Sequence, residues 1–226
     1  MELESFVLAA STGDLADATR PAVREYADVV EFRLDLAADP LESLSRYDGS
    51  LPILATNRPT WEGGRATDPD RLETLERATE FDAVTAIDVE LASIRRGDAA
   101  DLLDRTDVTV VASSHDFERT PSRATMVETL TEASTHADVA KLAVTPETTA
   151  DTLALLAVTA EVTAQGHAAA TMAMGDLGAH TRAVAPVYGS TIGYAPADPA
   201  KATAPGQLDL ETLATLVGRW CPKREN

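Results

Sequence analysis

The chain has 226 residues, of which 44% are hydrophobic, and it carries a formal net charge of −18 from 37 acidic and 19 basic side chains. This length is enough to bury one large core or two small ones, and no apolar run approaches the roughly 18 residues that a membrane-spanning helix requires. So acidic a surface repels the phosphates of nucleic acids and of anionic lipids, which excludes both as expected partners.

Eight short apolar or β-branched segments recur along the chain and predict β-strands. The segments between them predict helices, and Pro40 and Pro69 are placed to begin two of these. The clearest helix opens at Thr148 and ends at Gly166, as helices often do. The predicted strands are 6–11, 29–36, 52–57, 84–91, 108–113, 139–144, 168–174 and 187–194. The predicted helices are 13–26, 40–46, 69–81, 99–106, 122–136, 148–166, 176–185 and 210–219.

This alternation of strand and helix implies parallel strands joined by helical crossovers. Eight such units predict an α/β fold in which residues 1–226 form a single domain, a (β/α)8 or TIM barrel, with the chemistry at the carboxyl ends of the strands. An open doubly wound sheet is the alternative fold. It needs a glycine-rich phosphate turn after an early strand, and neither G-x-G-x-x-G nor G-x-x-x-x-G-K-[ST] occurs.

Charged residues stand at the ends of the second and third predicted strands. Glu31 and Arg33 alternate with apolar residues in the second strand. An exposed strand with its polar residues outward is the alternative, but this strand is too apolar for an edge, so we expect the charges to point into the barrel. The third strand is followed by Arg58 and then by Glu62, which precedes two glycines that allow a tight loop. These four side chains are candidates for the site.

The fourth and fifth strands end in acidic residues and a histidine. We interpret Asp88 and Glu90 as structural partners of neighbouring strands or of arginines at the barrel mouth. His115 differs from the other three histidines because it follows directly on an apolar strand. An imidazole at this point can take and return a proton near neutral pH.

Lys141 stands inside the apolar sixth strand and is one of only three lysines in the chain. An unpaired ammonium is costly to bury, and burial favours the neutral amine, which is a nucleophile toward carbonyl carbons. The alternative is a lysine whose stem packs and whose head reaches water. The apolar residues on both sides make us favour the reactive amine, which lies one strand from His115.

Two further candidates follow the last strands. Arg182 comes after the seventh strand, and its guanidinium fork is suited to a carboxylate held by two parallel hydrogen bonds; a surface helix residue is the alternative. Residues 202–207 follow the eighth strand and contain Pro205 and Gly206 among small residues. Such a segment can serve as a mobile lid or as a plain connection.

Scarce lysine and abundant acid are together typical of a protein adapted to high salt, where charges are screened within about 3 Å at 1 M. An ordinary acidic enzyme is the alternative. The single cysteine, Cys221, excludes an internal disulfide. The first residues lack the basic stretch of a signal peptide, so we expect a cytoplasmic protein.

Seven short motifs follow one another in the order of the predicted strands. They are Glu31-Phe32-Arg33-Leu34-Asp35, Glu62-Gly63-Gly64, Ile87-Asp88-Val89-Glu90, Ser114-His115-Asp116-Phe117, Lys141-Leu142-Ala143-Val144 with Pro146, Arg182, and Ala204-Pro205-Gly206-Gln207. Together they resemble the type I 3-dehydroquinate dehydratase family, and the resemblance covers nearly the whole chain. Each motif alone is weak, but seven in this order are specific. With the acidic composition, the resemblance points to a member from a halophilic archaeon.

The resemblance implies a hydro-lyase of the shikimate pathway of aromatic amino acid biosynthesis, which converts 3-dehydroquinate to 3-dehydroshikimate and water through a Schiff base and without a metal or organic cofactor. Lys141 would form the imine, His115 would move the protons, and Glu62 would orient His115. A homodimer is also implied, although no segment identifies an interface. The substrate would be held by Glu31, Arg33 and Arg58 at its hydroxyls, by Arg182 at its carboxylate, and by Thr203 and Gln207 from the last loop.

The chain departs from the family pattern at two positions. Thr203 replaces the usual serine, and Tyr194 stands where phenylalanine is expected, which adds a hydroxyl near the pocket mouth. Two other functions remain open. A class I aldolase would need a phosphate-binding turn, for which residues 189–193 are the candidate, although they lie within a predicted strand. An inactive metabolite-binding barrel would be expected to lack the lysine or the histidine.

Overall fold

The computed structural model of the chain describes residues 6–67, 70–201 and 206–221. Seven pairs of neighbouring strands are parallel. The strands are β1 Val7–Thr12, β2 Val29–Arg33, β3 Ile53–Thr56, β4 Val84–Glu90, β5 Thr109–Asp116, β6 Val139–Val144, β7 Ala169–Ala173 and β8 Ile192–Pro196. They form one sheet in the order β7-β6-β5-β4-β3-β2-β1-β8.

The sheet curls into a barrel because its two end strands meet. The segment before β8 forms a parallel bridge to β7 between Ser190 and Ala169, and the amide of Thr191 donates to the carbonyl of Ala169 at 2.7 Å. The predicted (β/α)8 barrel is therefore confirmed, as a nearly closed one.

Helices connect the strands and cover the outside of the barrel. They are α1 Pro21–Tyr26, α2 Pro40–Ser45, α3 Arg71–Ala78, α4 Leu91–Arg96, α5 Ala100–Arg105, α6 Arg123–Ala133, α7 Thr149–Ala164, α8 Gly175–Gly178, α9 Thr181–Val184 and α10 Leu210–Trp220. Short 3-10 helices cover Leu15–Thr19, Leu34–Leu36, Thr60–Glu62, Ala185–Tyr188 and Pro199–Lys201. None of the described helices is both long and apolar enough to cross a membrane.

The longest helix begins and ends as its residues predict. Thr148 precedes α7 and forms a capping box with Asp151, which satisfies backbone amides of the first turn. Gly166 follows the helix with a φ of 92°, a conformation that glycine adopts without strain. Pro40 is the first residue of α2, as predicted, whereas Pro69 lies outside the described residues.

Alternate side chains of each strand face the interior of the barrel. Toward the amino ends of the strands these side chains are apolar and form a buried cluster that includes Val7, Val29, Leu54 and Val111. Toward the carboxyl ends the inward positions become polar. The buried polar side chains there include Glu31, Arg33, Asp88, Glu90, Ser113 and Lys141. The apolar cluster is thus the floor of a polar site.

The eighth strand is misplaced in the sequence-based prediction. Residues 187–194 were expected to be extended, but Ala185–Tyr188 form a 3-10 helix and the strand runs over Ile192–Pro196. The physical reason is that Pro186 lacks an amide proton and Gly189 turns the chain with a φ of 97°. The turn proposed for an aldolase phosphate therefore begins before β8, at the amino end of that strand and away from the polar end of the barrel.

Other boundaries also differ from expectation, and three of them bear on the site or have a clear physical reason. β2 ends at Arg33 and continues as the 3-10 helix Leu34–Leu36. The first helix divides in two before Pro21, which has no amide to extend the first segment. β5 runs on to Asp116, so that His115 lies within the strand rather than after it.

Candidate active site

The polar end of the barrel holds a cavity. Eight of the nine predicted site residues line it, and the ninth, Thr203, lies outside the described residues. Because the parallel strands all end at this face, residues far apart in sequence converge there. The cavity is lined by Glu31, Arg33, Arg58, Glu62, Gly63, His115, Phe117, Lys141, Ala143, Met172, Met174, Arg182, Tyr194 and Gln207.

Lys141 projects from β6 into the floor of this cavity and is only 5% exposed. Its Nζ atom donates a hydrogen bond to Oδ2 of Asp88 at 2.8 Å and lies 4.1 Å from the centre of the Tyr194 ring. The ammonium is therefore buried but paired, in contrast to the unpaired amine that the sequence suggested. The cation–π contact adds to this pairing.

Asp88 is the partner that sequence reasoning assigned a purely structural role. Burial alone would raise the pKa of this carboxyl, but the charges of Arg58 and Lys141 outweigh burial and hold the pKa well below its usual range. Asp88 also accepts a hydrogen bond from Ser113 at 2.6 Å. The sequence could have indicated a role for Asp88 in the site. Asp88 and Glu90 are two residues apart in an apolar strand, so both carboxylates lie on the same, inward face.

Arg58 links the carboxylates around the lysine. Its guanidinium lies 2.8 Å from Asp88, 2.7 Å from Glu90 and 3.3 Å from Glu62. A second arginine, Arg71, holds the other oxygen of Glu90 at 2.6 Å. The expected pairing of Asp88 and Glu90 with arginines is confirmed. Arg58 thus organises the acidic groups of the site, and its assignment to substrate hydroxyls, which the family resemblance implies, stays a prediction.

His115 and Glu62 form a buried pair. Nδ1 of His115 lies 3.0 Å from Oε2 of Glu62, and the imidazole stacks on Phe117 with ring centres 5.7 Å apart. Burial lowers the pKa of His115 well below 6.5, and the charges of Arg58 and Lys141 act in the same direction. Burial raises the pKa of Glu62 to about 7, against the opposing charge of Arg58.

These pKa shifts suit proton transfer. A neutral imidazole that donates from Nδ1 to the Glu62 carboxylate keeps a lone pair on Nε2, which can accept a proton. Because the pKa of Glu62 is near neutrality, this carboxyl can adjust its own charge as the imidazole gains and loses a proton. The pair therefore has the properties of a general acid–base.

Glu31 and Arg33 line the second side of the cavity from β2. Glu31 accepts a hydrogen bond from Thr56 at 3.1 Å and another from Ser11. Arg33 forms two hydrogen bonds of 2.7 Å with Asp35. Both side chains are thus oriented by neighbours before any ligand binds. Asp35, unlike Asp88, is a residue to which the sequence analysis assigned no role.

Arg182 lies on α9 and lines the cavity together with Met172 and Met174. Its Nη1 contacts the sulfur of Met172 at 3.7 Å, and burial lowers the pKa of the guanidinium to about 10. A buried cation next to apolar side chains suits an anionic ligand group.

The last loop reaches the cavity through Gln207. Gly206 precedes it and packs on Gly175, where an added Cβ would lie 2.2 Å from the Gly175 carbonyl oxygen. Within the described ranges, no group of three or more histidine, cysteine or acidic side chains could hold a metal ion.

The fold and the cavity define an enzyme of the (β/α)8-barrel class. A sequence model described as type I 3-dehydroquinase matches residues 6–218, and the chain belongs to this family. The 3-dehydroquinate dehydratase of Haloarcula marismortui is 54% identical over 97% of this chain and 98% of that protein. The corresponding protein of Halobacterium salinarum is 51% identical over 96% and 98%. The crystal structure of 3-dehydroquinate dehydratase from Geobacillus kaustophilus aligns with a TM-score of 0.82 at 28% identity, over 96% of this chain and 91% of that one.

Proposed function

We propose that this chain dehydrates 3-dehydroquinate to 3-dehydroshikimate through an imine on Lys141. The observation that carries the proposal is the meeting, in one cavity, of a buried lysine amine with the His115–Glu62 acid–base pair. Family membership supports the same reaction. It is a carbon–oxygen lyase reaction of the shikimate pathway.

The first step forms a carbon–nitrogen bond. Nζ of Lys141 loses a proton and attacks the ketone carbon, and the former carbonyl oxygen leaves as water. Nζ starts from a hydrogen bond to Asp88, which holds it in place on the floor of the cavity. The resulting protonated imine withdraws electrons from the adjacent carbon and acidifies its hydrogens.

The second step eliminates water. Nε2 of His115 removes a proton from the carbon next to the imine, and the electron pair moves toward the imine nitrogen. The same imidazole then gives its proton to the departing hydroxyl, so a second water forms and His115 returns to its neutral state. Hydrolysis of the imine consumes one water and releases the product, which leaves one water as the net by-product.

Substrate recognition falls to the charged rim of the cavity. Arg182 binds the carboxylate, because its buried guanidinium offers two parallel donors to an anion. Glu31 and Arg33 hold ring hydroxyls, and Arg58 keeps the surrounding carboxylates in place. Gln207 contacts the substrate from the last loop, and Thr203 is proposed to do the same.

We further propose that the enzyme is a cytoplasmic homodimer adapted to high salt. The excess of acidic residues over lysine and the relatives from Haloarcula, Halobacterium and Haloquadratum support a protein that works in high salt. Its place is the cytoplasm, where biosynthetic enzymes act, and its assembly is a homodimer.

Trapping the imine tests the proposal. The enzyme is incubated in high salt with 3-dehydroquinate and sodium borohydride, and the modified residue is located by mass spectrometry. A reduced adduct is expected on Lys141 and on neither of the other two lysines. Lys141→Met should lose both the adduct and turnover.

Lys201→Arg provides the matched control, since Lys201 is largely exposed and forms ion pairs outside the cavity. It should behave as the unchanged enzyme does. Product formation without an adduct would refute the imine, and absence of both product and adduct would refute the function.

A further inference from the structure

Asp35 is a buried carboxylate that accepts four hydrogen bonds. Its side chain is fully buried. Oδ1 accepts from Nε of Arg33 at 2.7 Å and from the backbone amide of Arg58 at 3.3 Å. Oδ2 accepts from Nη2 of Arg33 at 2.7 Å and from the backbone amide of Arg65 at 3.0 Å. One side chain in the 3-10 helix that follows β2 thus holds a cavity arginine and two backbone positions of the next loop.

The two backbone amides, of Arg58 and Arg65, stand at the two ends of the loop 58–65, which carries Glu62. The loop is closed on itself, because the amide of Ala66 donates to the carbonyl of Arg58 at 3.0 Å and the amide of Gly64 donates to the carbonyl of Pro59 at 2.9 Å. At Gly64 an added Cβ would lie 2.0 Å from the carbonyl oxygen of Arg58. A loop bonded internally in this way moves as a unit, so its attachments to the barrel decide where Glu62 lies.

Asp35 supplies an attachment on the β2 side of this loop. Glu62, within the loop, lies 3.0 Å from Nδ1 of His115, which projects from β5. The Asp35 carboxylate and the His115 imidazole therefore fix the same loop from opposite sides. None of the Asp35 contacts is needed to close the barrel, because β2 and β3 already pair through their own backbones.

We propose that Asp35 is a positioning residue for the reaction: it places Glu62 against His115 through the loop 58–65, and it aims Arg33 into the cavity. The inference rests on the proposed function, in which His115 moves the protons. Misplacement of a catalytic group by about 1 Å can slow a reaction about 100-fold.

Asp35→Asn is the direct test because it preserves size and shape. All four groups that contact Asp35 are donors, and an amide has only one acceptor oxygen. Whichever way the amide is turned, its NH2 group faces two donors, so one attachment of the loop and one contact to Arg33 are lost. We expect kcat to fall between about 10-fold and 100-fold and KM to rise, because Arg33 also loses one of its two bonds to this side chain.

The decisive readout is a comparison in a second background. If Asp35 acts through Glu62, Asp35→Asn should lower kcat much less in the Glu62→Gln enzyme than in the unchanged enzyme. An equal decrease in kcat in both backgrounds would overturn the proposal. It would also be overturned if the decrease in kcat matched the fraction of the variant that is unfolded. Borohydride trapping on Lys141 should survive in Asp35→Asn. Absence of both adduct and product from the unchanged enzyme would instead refute the proposed function.

Two further variants complete the design. Asp39→Asn alters an exposed aspartate that caps α2 and should leave kcat and KM unchanged. If Asp35→Asn does not fold, Asp35→Glu takes its place: it retains the charge but moves the carboxylate by one methylene, and it should lower kcat in the same background-dependent way. Unchanged kcat in a folded Asp35→Glu enzyme would also overturn the proposal.

Discussion

Nζ of Lys141 lies 2.8 Å from Oδ2 of Asp88, while the other oxygen of Asp88 lies 2.8 Å from the guanidinium of Arg58. The carboxylate thus holds a reactive amine with one oxygen and the central arginine of the site with the other. All three side chains are buried. We therefore expect Asp88 to contribute both to the stability of the fold and to the reaction.

Asp88→Asn is expected to destabilise the fold and to slow the reaction. The amide leaves two buried cations with reduced compensation, which costs about 3 kcal/mol or more. Lys141 also loses the partner that positions its amine, so borohydride trapping should slow at least about 10-fold. Denaturant unfolding and the rate of adduct formation measure the two effects.

Glu90→Gln is the control for Asp88→Asn. Glu90 contacts Arg58 and Arg71, whereas the amine of Lys141 is bonded to Asp88. This variant should lose stability yet keep its trapping rate. A normal trapping rate in a folded Asp88→Asn enzyme would contradict a positioning role for Asp88.

Glu62→Gln is expected to change how stability depends on pH. Burial raises the pKa of Glu62 from 4.5 to about 7, so between these values the folded state binds more protons than the unfolded state. Stability contributed by this group therefore falls as pH rises from about 4.5 to about 7. The glutamine does not ionise, so the variant does not lose this stability. As the pH rises from 5 to 8, its free energy of unfolding should increase by on the order of 2 kcal/mol relative to that of the unchanged enzyme.

Free energies of unfolding at the two pH values measure this difference. His115 and Asp88 contribute in the opposite direction, because their lowered pKa values remove stability as the solution becomes acidic. The Asp88 contribution is common to both proteins, but His115 contacts Glu62 directly, so the same comparison is repeated in a His115→Asn background, where the histidine does not titrate. If the two proteins differ in free energy of unfolding by the same amount at pH 5 and at pH 8, the pKa of Glu62 is not raised.

Tyr194→Phe is expected to stabilise the free enzyme. The Tyr194 hydroxyl is buried and has no hydrogen-bond partner within residues 6–67, 70–201 and 206–221, although the sequence suggested a position near the pocket mouth. Removing an unsatisfied hydroxyl recovers about 1 kcal/mol or more, while the phenylalanine ring keeps its contact with Lys141. Thermal and denaturant unfolding test this prediction, and a less stable variant would contradict it.

Arg182→Lys is expected to weaken substrate binding. A lysine keeps the charge but loses the fork that gives two parallel hydrogen bonds to a carboxylate. KM should rise roughly 10-fold or more, since a charge-assisted hydrogen bond contributes about 1.5–3 kcal/mol. A substrate analogue without the carboxylate is the control, and the two enzymes should bind it equally. If both enzymes lose the same affinity when the carboxylate is removed from the substrate, Arg182 does not bind that carboxylate.

The sequence was most informative where local chemistry and periodicity agree. The α7 capping residues, the recurring apolar strands and the inward spacing of Glu31 with Arg33 were readable directly, because side-chain direction follows from the period of a strand. It was least informative around β8. There, Val187 and Tyr188 looked extended, whereas a proline and a left-handed glycine turn the chain first.

The sequence alone therefore determined the barrel architecture and the positions of most cavity residues, since strand ends in such a fold share one face. Only the tertiary structure decided which side chains pair. That Lys141 is held by Asp88, and that Asp35 holds the loop of Glu62, depends on strand register and loop closure across 53 and 30 residues of chain. These distances result from the packing of the whole barrel, and no local pattern encodes them.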